Sequence, residues 1–212
     1  MVLSEQKEFK AVATDSHRMS QRKLTLENTS ANFNMGIPSK SLREFSAVFT
    51  DDIETVEVFF SDSQVLFRSD YISFYTRLLE GNYPDTDRLL TNSFETEVTF
   101  NTAALRSAME RAYLISNATQ NGTVKLEITS DSISSHVNSP EVGKVNEELD
   151  SISQSGSDLT ISFNPTYLIE ALKALKSETV MIRFISPVRP FTLMPGDDTE
   201  NFVQLITPVR TN

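Results

Sequence analysis

Apolar residues recur at steps of three and four in three short stretches of this chain, and after each stretch they alternate with polar ones. The first stretch carries Leu42, Phe45, Val48 and Phe49; the second Leu105, Ala108, Met109 and Ala112; the third Leu168, Ala171, Leu172 and Leu175. Steps of three and four keep side chains on one face of a helix, so each stretch predicts a short amphipathic helix. All three open alike: Ile37-Pro38-Ser39-Lys40-Ser41-Leu42, Phe100-Asn101-Thr102-Ala103-Ala104-Leu105 and Phe163-Asn164-Pro165-Thr166-Tyr167-Leu168. The openings repeat with a period of 63 residues (Ile37, Phe100, Phe163). Ser39, Asn101 or Thr102, and Asn164 are the predicted N-caps, because a short polar side chain there accepts from an unpaired N–H of the first turn. Pro165 suits the first helical turn, where its missing N–H costs nothing.

The alternating stretches predict half-buried strands. Thr55–Ser61, Thr123–Thr129 and Thr179–Ser186 share the opening Thr-Val and follow the three helices in order. Further strands are predicted at Gln64–Arg68, Ile72–Leu78, Ser132–Val137, Phe191–Met194 and Phe202–Thr207. Turns rich in Gly, Pro, Asn and Asp separate them, such as Gly81-Asn82-Tyr83-Pro84 and Met194-Pro195-Gly196-Asp197. Asn138–Gly156, rich in Ser, Glu and Gly, predicts a long hairpin or loop. The fold class is α+β, built from a strand–helix–strands unit used three times.

Composition narrows the function. The 212 residues suffice for one or two domains, and 39% hydrophobic content with 14 Phe supports a packed core. Cysteine is absent, which excludes disulfides, thiolate metal sites and cysteine nucleophiles and fits a cytoplasmic protein. The apolar runs are too short for a membrane span, and the first residues do not read as a secretory signal. The net charge of −10 argues against gripping nucleic acid over the whole surface, while leaving room for a local basic face. Asp15-Ser16-His17 superficially suggests a hydrolase, but consecutive residues point in different directions and catalytic triads converge from separate elements. With two His and no Gly-rich phosphate loop, the reading is non-catalytic, with no cofactor and no metal.

Five segments in order then resemble one family. They are Ala13-Thr14-Asp15-Ser16-His17-Arg18-Met19; Gly81-Asn82-Tyr83-Pro84-Asp85 followed by Arg88; Ile115-Ser116-Asn117; Phe163-Asn164 with Tyr167; and Ile206-Thr207-Pro208-Val209-Arg210. Together they are similar to the C-terminal part of the beta subunit of bacterial DNA polymerase III, the DNA sliding clamp family. The resemblance implies a clamp fold of pseudo-two-fold domains, each made of two repeats, with helices on the inner face and antiparallel sheets outside. It divides the chain into residues 1–88, the second half of a middle domain, and 89–212, a complete third domain. It implies a truncated chain whose Met1 is not a natural start and which cannot close a ring alone. An uncovered half-domain predicts self-association.

The implied function is a processivity factor of DNA replication. The full-length form would be a head-to-tail homodimer encircling duplex DNA without reading its sequence. Its partners would be the DNA polymerase III alpha subunit, the clamp loader and other proteins carrying clamp-binding motifs, with no membrane involved. Basic residues of the three helices, Lys40, Arg43, Arg106, Arg111, Lys173 and Lys176, are the implied DNA-facing set. The implied peptide groove takes Thr14, Ser16, His17, Arg18 and Met19 from one segment and Pro84, Arg88 and Leu89 from the junction. It takes Asn164, Tyr167, Val188 and Pro190 from the last repeat, and Leu205, Ile206, Thr207, Pro208, Val209 and Arg210 from the tail. Apolar walls would receive Leu/Phe anchors, while Arg and Asn would satisfy a Gln and the peptide backbone. Tyr113, Leu114 and Ile115 match the apolar part of the family's subunit interface. Departures are Met19 for the usual Leu, Gln120 where an aromatic sometimes stands, and the polar tail Arg210-Thr211-Asn212. The alternative reading is a scaffold module built from the same repeats that never meets DNA.

Overall fold

A computed structural model of the chain describes residues 2–3, 8–27, 33–81, 83–90, 93–117, 122–139 and 143–210. Gln120, Thr211 and Asn212 lie outside the described residues, as do Asn82 and part of the Asn138–Gly156 segment. The chain divides into two compact units: residues 1–11 with 24–86, and residues 12–23 with 87–212.

In the first unit, β1 (Val2–Leu3) pairs antiparallel with β2 (Glu8–Thr14). Beyond β3 (Arg18–Thr25), β4 (Phe33–Asn34) also pairs with β1. Helix α1 (Ser39–Val48) precedes a meander of β5 (Glu57–Phe60), β6 (Gln64–Arg68) and β7 (Ser73–Arg77). Alternation along β6 turns Val65 and Phe67 inward, where they join Met35 in a small core. Phe45 of α1 supplies the cover, with ring centroids 4.5 Å from Phe49 and 4.6 Å from Phe67.

The second unit opens on a 3-10 turn (Asp87–Leu89) and β8 (Thr96–Asn101), which runs straight into α2 (Thr102–Ser116). Then come β9 (Val124–Ile128), β10 (Ile133–Ser139), β11 (Gly143–Glu148) and β12 (Ser153–Gly156). The second repeat is β13 (Leu159–Phe163), α3 (Pro165–Leu175), β14 (Thr179–Phe184), β15 (Phe191–Pro195) and β16 (Phe202–Ile206). The two repeats exchange strands: β8, before α2, pairs with β14, while β13, before α3, pairs with β9. The registers correspond as well. Phe100 faces Val180 and Val98 faces Ile182; at the positions 63 later, Phe163 faces Val124 and Ile161 faces Leu126. One sheet then runs β8-β14-β15-β16, the other β13-β9-β10-β11, a pseudo-two-fold arrangement. Helices α2 and α3 pack on one another over the core. Phe100, Phe163, Phe184 and Phe191 are each at most 1% exposed. Burying a side chain of that size stabilises by about 1.5–3 kcal/mol before entropy is counted.

The caps follow the predicted residues in this unit. Asn101 Oδ1 accepts from the Ala104 N–H and Asn164 Oδ1 from the Thr166 N–H, both at 2.9 Å, with Pro165 at the helix start. Four expectations need correction. Ser39 does not cap α1; Pro38 holds that position with no side-chain bond. Leu42 and Val48 are not buried, at 38% and 44% exposure, whereas Leu105 and Leu168 are at 4% and 2%. The cause is that α2 and α3 cover each other, while α1 is the one helix among the described residues of its unit. Lys176 is not on a helix face; it is the C-cap of α3, at φ 52°. The Asn138–Gly156 segment begins as the predicted hairpin, β10 with β11, but its end crosses to the other sheet, where β12 pairs with β8.

Candidate functional site

The turn between β2 and β3 is built by its own side chains. Asp15 Oδ1 accepts from the His17 and Arg18 N–H groups, both at 3.2 Å, and Thr14 Oγ1 donates to the Arg18 carbonyl at 2.8 Å. Such Asx bonding stabilises a tight turn in place of the backbone ladder. Ser16 takes the left-handed conformation, φ 73°, that the turn demands.

This turn aims Arg18 at α3. Its Nε donates to Asp15 Oδ2 at 2.8 Å, and its Nη1 donates to Glu170 Oε2. The guanidinium carbon lies 4.7 Å from the Tyr167 ring centre, a cation–π contact of about 0.5–1 kcal/mol at an exposed site. The His17 ring lies nearly parallel to the same tyrosine, 15° between planes and 6.0 Å between centroids. Tyr167 and Glu170 reach Arg18 together because a spacing of three puts both on one helix face. Desolvation opposes both charges, but the Asp15–Arg18 pairing and turn amides hold the Asp15 carboxyl below its ordinary value. Likewise Asp15 and Glu170 outweigh desolvation and raise Arg18.

The tail completes the site. Strand β16 pairs with β3, Leu205 opposite Met19 and Ile206 opposite Arg18. Both the N–H and the hydroxyl of Thr207 donate to the His17 carbonyl, at 2.9 Å each. The Val209 N–H donates to the Ser162 carbonyl at 2.7 Å, leading Pro208, Val209 and Arg210 along the edge of the unit. Asn164 is committed to capping α3.

The structure therefore brings Thr14, Ser16, His17, Arg18, Tyr167 and Thr207 together. Met19, Leu205 and Ile206, expected as groove walls, are 2%, 4% and 1% exposed in this chain. Met19 and Leu205 face each other across β3 and β16 on one side of the sheet, while Ile206, opposite Arg18, lies on the other side and joins the core. The open apolar surface instead comes from Val209, 38% exposed, and from Leu89 and Val188 elsewhere in the unit. Arg88 and Leu89 lie in the 3-10 turn, and Val188 and Pro190 in the β14–β15 turn. Pro84 belongs to the first unit, where it lines a cavity of about 530 Å³ with Asn34, Met35, Leu79 and Tyr83.

The basic candidates are largely answered by acids. Lys173 Nζ is 3.3 Å and Arg106 Nε 3.9 Å from the same Glu110 carboxylate; Arg111 pairs with Glu147, and Lys40 lies 3.9 Å from Glu44. Arg43 and Lys176 are exposed. Leu114 is 74% exposed at the end of α2, while Tyr113 and Ile115 are half-buried against the core. Sequence reasoning missed Glu170, Glu110 and Glu147. Glu170 had a readable signal in its spacing from Tyr167.

Two family models match the chain in order. The DNA polymerase III beta subunit central domain matches residues 1–85 and the C-terminal domain of the same subunit matches residues 87–210. The chain belongs to the DNA polymerase III beta subunit family. The Beta sliding clamp of Streptococcus pneumoniae is 70% identical over 211 residues, covering all of this chain and 56% of that relative. The crystal structure of the beta subunit from DNA polymerase of Streptococcus pyogenes superimposes with a TM-score of 0.96 at 81% identity. It covers 99% of this chain and 57% of that one. The DNA polymerase sliding clamp from Bacillus subtilis, 40% identical, gives 0.93 over 100% of this chain and 56% of its own. The fold is thus the α+β fold of sliding clamps, and the chain spans about 56% of the length of the curated relatives it matches. No helix among the described residues is long and apolar enough to cross a membrane.

Proposed function

We propose that this chain is the partner-recruiting part of a DNA sliding clamp, a non-catalytic processivity factor acting in the cytoplasm. Residues 1–88 are the second half of the middle clamp domain, and residues 89–212 are the third domain. The full-length form is a head-to-tail homodimer around duplex DNA that tethers the polymerase alpha subunit, the clamp loader and other clamp-binding proteins. The observation that carries this reading is the ordered match of two beta-subunit domain models across nearly the whole sequence. The groove is the surface around Arg18, Tyr167 and Thr207, with Thr14, Ser16, His17, Asn164 and Pro208–Arg210 around it. Arg88, Leu89, Val188 and Pro190 extend it within the same unit. Its ligand is an extended peptide with a Gln and Leu/Phe anchors, taken through backbone hydrogen bonds and apolar contact.

Lys40, Arg43, Arg106, Arg111, Lys173 and Lys176 face DNA. The pairing of Lys40, Arg106, Arg111 and Lys173 with acids suits sliding, since weak contacts that exchange quickly hold nothing in one place. Tyr113, Leu114 and Ile115 form part of the subunit interface.

Fluorescence polarisation with a labelled peptide bearing Gln and Leu/Phe anchors tests the groove. Binding weakened about tenfold by Arg18→Ala, and by deleting Thr207–Asn212, supports it. Binding indifferent to both changes refutes it. In a retention assay the full-length form is expected to stay on circular DNA and to be lost when the circle is cut.

A further inference from the structure

The groove's cation does not stand alone. Arg18 is held between two carboxylates from different parts of the chain, Asp15 in its own turn and Glu170 on α3, with its guanidinium carbon over the Tyr167 ring. The three ionised side chains are partly exposed, at 33%, 46% and 54% for Arg18, Asp15 and Glu170, so a ligand can reach them. We propose that Asp15 and Glu170 are positioning residues that make this groove select neutral peptide carbonyls and reject carboxylates. This inference rests on the peptide-groove reading above.

The chemistry follows from donor counting. A guanidinium has five N–H donors in a rigid fork. One is spent on Asp15 and one on Glu170, leaving about three not used by either carboxylate, on a guanidinium whose carbon is 4.7 Å from the Tyr167 ring centre. An incoming carbonyl takes one of these bonds without displacing anything. An incoming carboxylate meets a cation already answered by two negative charges, so it must expel Glu170 or bear the repulsion of both. Glu170 therefore acts through Arg18, both by orienting it and by cancelling its charge.

The experiment uses the groove-binding peptide above in an acid-free form, together with a scan in which each residue in turn becomes Glu. Against the wild-type chain, one position nearest Arg18 is expected to lose about tenfold on becoming Glu. In Glu170→Gln, which keeps an acceptor but removes the charge, that penalty is expected to shrink to about threefold or less. The penalty is read in each variant as the ratio of the Glu-bearing to the acid-free peptide's affinity, so a general loss of binding on changing Glu170 does not count as lost selectivity. Glu170→Ala, which also removes the acceptor, should weaken the acid-free peptide and shift the Arg18 Nε–H signal in NMR spectra. A Glu scan unchanged within about twofold in Glu170→Gln overturns the proposal while leaving the groove intact. No binding of the acid-free peptide to wild type overturns the groove reading itself, and this proposal with it. Because Glu170 is exposed, an unchanged melting curve separates charge selection from a folding defect.

Discussion

Truncating one leucine at two repeat-equivalent positions tests how the two units are packed. Leu168 and Leu42 occupy the same place in their helices, yet the first is 2% exposed and the second 38%. Around Leu168 the neighbours are themselves closed, Phe163 at 0% and Leu172 at 2%. Leu168→Ala therefore leaves a cavity that cannot collapse, and the expected cost is about 3 kcal/mol, within the usual span for buried leucines. Leu42→Ala leaves no enclosed cavity. Only the transfer part of the loss remains, scaled to a side chain about three-fifths covered, so the expected cost is about 1 kcal/mol. Urea unfolding followed by circular dichroism gives each change, and amide exchange in α1 and α3 assigns the loss to a unit. If Leu42→Ala costs as much as Leu168→Ala to within about 0.5 kcal/mol, then α1 is covered as deeply as α3 and the reasoning fails.

Three further outcomes are expected. Asn101→Ala and Asn164→Ala should each lower stability by about 1 kcal/mol in the same unfolding assay, since each leaves a first-turn N–H without its acceptor. Gly156→Ala should be far more disruptive than Gly143→Ala: both sit at positive φ, but a methyl at 156 would stand 2.0 Å from the Glu95 carbonyl oxygen, whereas 143 is open. Finally, the turn that holds Arg18 should loosen in acid. The folded Asp15 carboxyl lies below its ordinary value of 3.8, so its contribution is present above that value and fades as pH falls through the depressed one. His17 and Tyr167 NMR shifts should follow this titration in wild type and lose it in Asp15→Asn.

Much of the second unit was legible because each of its signals agreed with the others. The 63-residue period, the Asn caps and the Thr-Val strand openings all point to the same elements, and the structure places those elements near the expected bounds. The misses share a physical cause, which is that a pattern along the chain does not reveal what lies against it. Leu42 reads like Leu105 and Leu168, but the covering helix that buries the latter two is tertiary. Strand β12, Ser-Gln-Ser-Gly, has no apolar alternation and exists because the edge of β8 offers it hydrogen bonds. Gln21 and Gln204 are polar yet buried; the latter is held by donating to the Ala171 carbonyl at 2.8 Å. Within the candidate site, the turn of Asp15–Arg18 was visible as a motif, and Tyr167 through its resemblance. Glu170 belonged to no motif; its spacing of three from Tyr167 was its one signal, and that gained meaning where α3 meets the turn.

The crossed pairing of the second unit sets an order on its birth. A ribosome delivers β8 long before β14, so Phe100 emerges with its lifelong neighbour Val180 still unmade. The first strand able to dock beside it is the polar β12, which arrives earlier and takes the opposite side. A ribbon that looks marginal in the finished molecule is thus the earliest strand its neighbour can bond along an edge, while the apolar side chains have only α2 to shelter them, and long-range closure of this kind is intrinsically slow.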